Sequence, residues 1–132
     1  MNKKQQELLT SYLDLFGKRA FAHIATLMPD GSPQVSPVWV DYDGKYVLVN
    51  TARGRQKDLN IRRDPRVALA IMDPDNSYRK LLLRGKVVEV ITNGAEQHID
   101  ALAVKYTGEK YAWRTEGMLR EILKIKIHHV AG

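Results

Sequence analysis

Val47-Leu48-Val49-Asn50-Thr51-Ala52-Arg53-Gly54-Arg55-Gln56-Lys57-Asp58-Leu59-Asn60-Ile61-Arg62-Arg63-Asp64-Pro65-Arg66-Val67-Ala68-Leu69-Ala70-Ile71 reads as strand, basic turn, short helix, strand. The strand-prone run Val47 to Val49 ends in polar residues and Gly54, which breaks strand character. A short helix follows. Asp64-Pro65 must stop it, because the residue before a proline is pushed out of the α region. Val67 to Ile71 resumes strand character. The placement of charge is unusual. Arg53, Arg55 and Lys57 sit just before and inside the first helical turn, where the partial positive charge of a helix N-terminus favours acids. A phosphate or carboxylate docked there would satisfy both the side chains and the amides. The plainer reading is that long basic side chains lie in solvent beside a loop.

With 132 residues, the chain is long enough for one domain, 1–132, and too short for two comfortable ones. The formal net charge is +6. Residues 51 to 66 hold six basic groups against two acids, so much of the excess is local and points to a local anionic partner. No zinc-finger spacing, basic helix with heptads or aromatic strand pair marks a nucleic-acid binder. Cysteine is absent, which excludes disulfides, thiolate metal sites and cysteine nucleophiles. The polar start, Met1 to Gln6, is not a signal peptide, and no apolar run reaches membrane-spanning length. The expected location is the cytoplasm.

Working outward, the first segment carries Leu8, Tyr12, Leu15 and Phe16 at helical spacing, with Gly17 as a stop. Ala20 to Met28 reads as a strand and Pro29-Asp30-Gly31-Ser32 as a turn. Gln34 to Tyr42 reads as one strand, with Ser36, Val38 and Val40 on one face and Val35, Trp39 and Asp41 on the other. Asp43-Gly44 is a hairpin turn leading to a strand from Lys45 to Thr51. Beyond the central stretch, Asp73-Pro74-Asp75-Asn76 is a loop and Tyr78 to Ile91 a long strand, in which Gly85 marks a bulge or bend. Asn93 is the expected cap of a helix with Glu96 three residues on, and Ala95, Ile99, Leu102, Ala103 and Tyr106 form its apolar face. Glu109 to Gly117 is an aromatic and charged loop, and Met118 to Val130 a last strand anchored by Leu119, Ile122, Ile125 and Ile127. Many antiparallel strands with three helical interruptions predict a mainly β, barrel-like fold with peripheral α-helices.

Few constellations carry chemistry by themselves. Adjacent His128 and His129 point to opposite faces of a strand and cannot easily share a metal. His23 lies among small and apolar residues and reads as a core histidine. Ser36 lacks a nucleophile elbow, and both the Walker and Rossmann glycine patterns are missing. Asp73 and Asp75 occupy a turn, where Asp is expected on backbone grounds. Tyr111 and Trp113 on a loop, and Tyr78 after a turn, either plug a core or face a flat ligand or partner.

The ordered set of motifs resembles the split β-barrel flavin and deazaflavin oxidoreductases, the group like pyridoxamine 5'-phosphate oxidase, and within it the branch dependent on coenzyme F-420. The resemblance rests on Ala22-His23-Ile24-Ala25-Thr26-Leu27, Pro29-Asp30-Gly31-Ser32-Pro33-Gln34, Ser36-Pro37-Val38-Trp39-Val40, Val49-Asn50-Thr51, Gly54-Arg55-Gln56-Lys57-Asp58-Leu59-Asn60, Arg63-Asp64-Pro65-Arg66-Val67, the Asp73-Pro74-Asp75-Asn76 turn with Tyr78, and Ile99-Asp100-Ala101-Leu102-Ala103 with Tyr106. Each piece alone is weak, but together they span nearly the whole chain in order. The resemblance implies an antiparallel split β-barrel of the FMN-binding, Greek-key kind, and a homodimer with cofactor sites at the subunit interface. It implies that Thr51, Arg55, Gln56 and Lys57 hold a cofactor phosphate, and that Ser36, Pro37, Val38 and Asn50 line the ring and its linker. Tyr78 and Trp113 are expected to cover the ring from the other subunit.

Members of that group bind FMN or the deazaflavin. The short chain and the Gly-Arg-Gln-Lys-Asp-Leu-Asn turn favour the deazaflavin. The arginine and histidine segment of the pyridoxal-phosphate-forming members has no equivalent here, so that reaction is not expected. The resemblance therefore implies a small-molecule oxidoreductase passing hydride from the reduced deazaflavin to a conjugated organic substrate. An FMN-binding reductase or oxidase, a non-catalytic cofactor carrier or sensor, and an anion- or nucleic-acid-binding barrel remain alternatives. Steep loss of nucleic-acid binding with salt would mark the last of these.

Overall fold

The computed structural model describes Met1–Gly132. Seven strands form one antiparallel sheet: β1 (Ala22–Leu27), β2 (Pro33–Val38), β3 (Val40–Tyr42), β4 (Val47–Ala52), β5 (Arg66–Asp73), β6 (Asn76–Ile91) and β7 (Arg120–Ala131). Their order is β2-β1-β5-β6-β7-β4-β3. Three helices interrupt them: α1 (Lys3–Ser11), α2 (Gln56–Arg63) and α3 (Ala95–Thr107). The predicted mainly β fold, a split barrel with peripheral helices, is the fold observed.

The first and last strands of this order, β2 and β3, are consecutive in the chain. The single strand expected from Gln34 to Tyr42 is in fact two, parted at Trp39. Its first half pairs with β1, Val38 opposite Ala22, and its second with β4, Val40 opposite Val49. A continuous alternating pattern spans the break, but the pattern does not say that its halves have different partners. The curled sheet is therefore closed by covalent continuity rather than by a ladder of hydrogen bonds. At this break the Val40 N–H donates to the Tyr106 hydroxyl at 3.2 Å, and the Val40 carbonyl accepts from Lys105 Nζ at 2.7 Å. The Tyr106 hydroxyl in turn donates to the Ala20 carbonyl at 2.7 Å. Helix α3 thus satisfies backbone groups that no strand reaches, as buried polar groups require.

The core lies inside the curl. It is built from alternate residues, among them Ile24, Val47, Val49, Leu69, Ile71, Leu81, Leu83, Leu123 and Ile125, closed at one end by Leu15 and Phe16. Each such side chain contributes about 1.5–3 kcal/mol by leaving water. Of the anchors expected in the last strand, Ile122, Ile125 and Ile127 are buried, whereas Leu119 precedes β7 and is exposed.

The bulge expected at Gly85 is present, as a register shift between Arg84 and Gly85 against β7. A Cβ there would collide with the Lys126 carbonyl oxygen. Three local expectations are corrected. The opening helical segment divides at Tyr12 into α1 and a 3₁₀ turn, Leu13–Gly17. The hairpin after β3 is longer than Asp43-Gly44, because Asp43 Oδ1 accepts from the backbone N–H of both Lys45 and Tyr46, and β4 starts at Val47. Finally, α3 is preceded by Gly94 in the left-handed region (φ 80) and receives no cap bond from Asn93.

Candidate functional site

The basic turn sits where β4 leaves the sheet. Gly54, at φ 91, turns the chain in a conformation that side chains resist, and α2 then begins at Gln56. The helix end is not occupied by cations alone, as the sequence suggested. Asp58, in the first turn, is buried, and its Oδ2 accepts from the Gly54 N–H at 2.8 Å. The dipole therefore has its acid, and the excess positive charge must be explained by where each side chain goes.

Most of the basic groups are already partnered. Arg62 reaches Asp58 at 2.9 Å and the buried Glu121 at 2.7 Å. Arg53 approaches Glu121 at 3.5 Å, and Arg66 pairs with Asp64 at 2.7 Å. Arg63 donates to the Leu27 carbonyl and to Asn60 Oδ1. Arg55 and Lys57 have no such partner, and both line one cleft of about 220 Å³ together with Arg120 from the start of β7. Burial, reinforced by the charges of Arg55 and Arg120, pushes the Lys57 ammonium below its ordinary range. Burial also pushes the Arg120 guanidinium down. Like charges converging on a partly desolvated cleft without a carboxylate are unfavourable unless an anion joins them.

The rest of the lining is mainly aromatic and apolar. Phe21, Pro37, Val38, Trp39, Ile99, Tyr111 and Trp113 make up most of it. Trp39 stacks on Tyr106 with centroids 5.3 Å apart, Tyr111 stands edge-on to Trp39 at 6.3 Å, and Trp113 stands edge-on to Tyr111 at 5.7 Å. The loop carrying them is tied down by Arg114, which bonds Asp100 at 2.9 Å and Glu96 at 3.0 Å on α3. Four buried side-chain atoms lack partners, Arg120 Nη1, Ser36 Oγ, Thr51 Oγ1 and Glu121 Oε2, and of these residues Arg120 lines the cleft. Such orphans are costly unless a ligand or water satisfies them.

Of the residues expected to form a cofactor site, Pro37, Val38, Asn50, Arg55, Lys57 and Trp113 meet in this cleft. Ser36 and Thr51 adjoin it in sequence through Pro37 and Asn50. Gln56 does not join them, because its amide donates to Asn60 Oδ1 at 2.8 Å within α2. Tyr78 lies elsewhere, 90% exposed near the start of β6. Trp113 lines the cleft of its own chain, and Arg114 holds its loop against α3. Arg120 is the main residue that sequence reading overlooked. Its only signal was a charged pair, Arg120-Glu121, at the opening of the last strand.

A basic cluster in a cleft lined by flat rings fits a phosphorylated, planar, aromatic ligand. The chain matches the pyridoxamine 5'-phosphate oxidase family over residues 8–132, and it belongs to that family. Among solved structures it is similar to an F-420 reductase, at 31% identity and a TM-score of 0.82, covering 91% of this chain and 95% of that one. A conserved hypothetical protein from Mycobacterium tuberculosis shares the fold at 21% identity and a TM-score of 0.63, covering 98% of this chain and 82% of that one. So does HupZ of Group A Streptococcus, at 17% identity and a TM-score of 0.59, with 98% and 91% covered. Family and fold make this an oxidoreductase of the split-barrel class. No helix is long and apolar enough to cross a membrane.

Proposed function

We propose that the cleft holds the phosphate and ring of the deazaflavin coenzyme F-420, and that the protein passes hydride from the reduced coenzyme to a conjugated organic substrate. The observation that carries this reading is the convergence of Arg55, Lys57 and Arg120 in one cleft lined by aromatic rings and by no carboxylate. The likeness to an F-420 reductase supports the deazaflavin over FMN.

The bound coenzyme supplies the hydride chemistry, and the protein binds, orients and excludes water. Arg55 and Lys57 hold the phosphate by charge-assisted hydrogen bonds. Arg120, stacked 5.2 Å from the Tyr111 ring, would add a third positive charge beside the same ligand. Pro37 and Val38 bear on one part of the ring, while Trp39, Tyr111 and Trp113 shield it from solvent.

The same reading includes a homodimer. The cleft volume is below the roughly 300–1,000 Å³ common for small-molecule sites, so a second copy is needed to complete the enclosure. Tyr78 and the exposed Val35 are candidates for that contact. Light scattering coupled to gel filtration tests it, and a monomer in the presence of the coenzyme counts against it.

Fluorescence titration with F-420 and with FMN tests the cofactor. Saturable F-420 binding with weaker FMN binding is expected. Tight FMN binding without F-420 binding would replace the deazaflavin by a flavin on the same site.

A further inference from the structure

A chain of hydrogen bonds runs from the protein surface to the cleft through residues whose donor and acceptor roles are fixed. Asn50 Nδ2 lies 2.9 Å from the Ala95 carbonyl, and Asn50 Oδ1 lies 2.9 Å from Arg120 Nε. A carbonyl can only accept and a guanidinium can only donate. The two contacts independently set the Asn50 amide one way round. Its Nδ2 also faces His98 Nδ1 at 3.1 Å. That nitrogen must therefore accept, so the ring proton resides on Nε2, which faces Asp41 Oδ2 at 3.3 Å. A carboxylate accepts, and the sequence of bonds closes without conflict. The His98 bond is the largest cause holding the Asp41 carboxyl below its ordinary range.

We infer that His98 is a positioning residue for the anion site: the Asp41–His98–Asn50 relay fixes the Arg120 guanidinium at the cleft. The relay draws on three separate elements, with Asp41 on β3, His98 on α3, and Asn50 on β4 beside Arg120 on β7. Arg120 has no carboxylate to hold it. Its fixed contacts are the Asn50 amide oxygen and the Tyr111 ring. If His98 cannot accept, the Asn50 amide keeps its bonds to the Ala95 carbonyl and Arg120 Nε but loses the third of its three contacts. The amide is then held less firmly, and the Arg120 tether is loosened. This inference rests on the cleft being an anion-binding cofactor site, but the relay itself can be observed without ligand.

The binding test compares wild-type protein, His98→Leu and His98→Gln, each titrated with F-420 and with FMN by fluorescence. Glutamine can accept from Asn50 and donate to Asp41, whereas leucine fills a similar space and does neither. We expect His98→Leu to bind about tenfold more weakly and His98→Gln to stay within about threefold of wild type, the scale of one hydrogen bond. Leucine at wild-type affinity, or glutamine as weak as leucine, overturns the inference. Failure of the wild-type protein to bind either cofactor refutes the cofactor reading instead. Nitrogen-15 NMR of the ligand-free protein then decides the relay alone. The expected result is a proton on His98 Nε2 with Nδ1 unprotonated, and an Arg120 Nε–H signal slowed in exchange. A proton on Nδ1, or an Arg120 signal exchanging freely, overturns the relay, also where His98→Leu does not fold.

Discussion

Replacing Lys57 with methionine should move affinity and stability in different directions. Methionine keeps most of the aliphatic stem and removes the ammonium. In the ligand-free protein that ammonium is only a cost, since it is half-buried, lacks a carboxylate, and stands in the field of Arg55 and Arg120. Its lowered pKa means that the unfolded chain holds the Lys57 proton more tightly than the folded one, which is the mark of an unfavourable folded environment. Removing the charge should leave the melting temperature unchanged or raise it. With a phosphate bound, the same ammonium makes a charge-assisted bond worth about 1.5–3 kcal/mol. Its loss weakens binding by a factor of about 10 to 150, at 1.4 kcal/mol per tenfold. Fluorescence titration gives the affinity, and thermal unfolding without ligand gives the stability. A Lys57→Met protein that binds as tightly as wild type would refute the phosphate assignment. A substantially lower melting temperature would refute the account of the cleft as a store of unbalanced charge.

Three further outcomes follow from the fold. Gly85→Ala drives a methyl group into the Lys126 carbonyl, and urea denaturation should show a loss of about 1–3 kcal/mol, typical of overpacking. Tyr106→Phe leaves the Val40 N–H and the Ala20 carbonyl without this hydroxyl; about 2–6 kcal/mol should be lost, at about 1–3 kcal/mol per buried orphan, and unchanged stability would dismiss the clamp at the sheet break. Asp73 is held down to about 2, first by the Asp75 backbone N–H and then by Arg79, with Lys18 adding to it. An unfolded Asp titrates near 3.9, so the folded state binds fewer protons between the two values. The Asp73 contribution is complete above about pH 4 and fades as pH falls toward 2. Denaturation of wild type and Asp73→Asn across that window should show their difference shrinking with acid.

Much of this molecule was legible because local chemistry and global position agree. Pro29-Asp30-Gly31-Ser32 turns where it should, with Asp30 Oδ1 accepting from the Ser32 N–H. Gly85 marks the bulge, and Arg55 and Lys57 proved to be the unpartnered cations among the six in their segment. What escaped reading depends on pairing over long sequence distances. The break at Trp39 has no local cause in its own residues; it arises because β1 and β4 compete for one strand. Arg120 became a site residue only when β7 took its place beside β4, with Ala52 opposite it. The α3 cap went to Gly94 rather than Asn93, because a left-handed glycine there serves the turn out of β6.

The break in the sheet also bears on how the protein is made. The backbone groups of Val40 at the junction of β2 and β3 lack their α3 partners until Lys105 and Tyr106 arrive, some 65 residues later. Strand β4 lacks its neighbour β7 until residues 120–131 have been synthesised. A nascent chain on the ribosome must therefore carry β4 and the basic turn with an open edge through most of translation. Such late-closing, non-local pairings fold slowly and leave strand edges exposed. Emergence of β7 both seals that edge and delivers Arg120, so the anion site can form only after residues 120–131 have been synthesised.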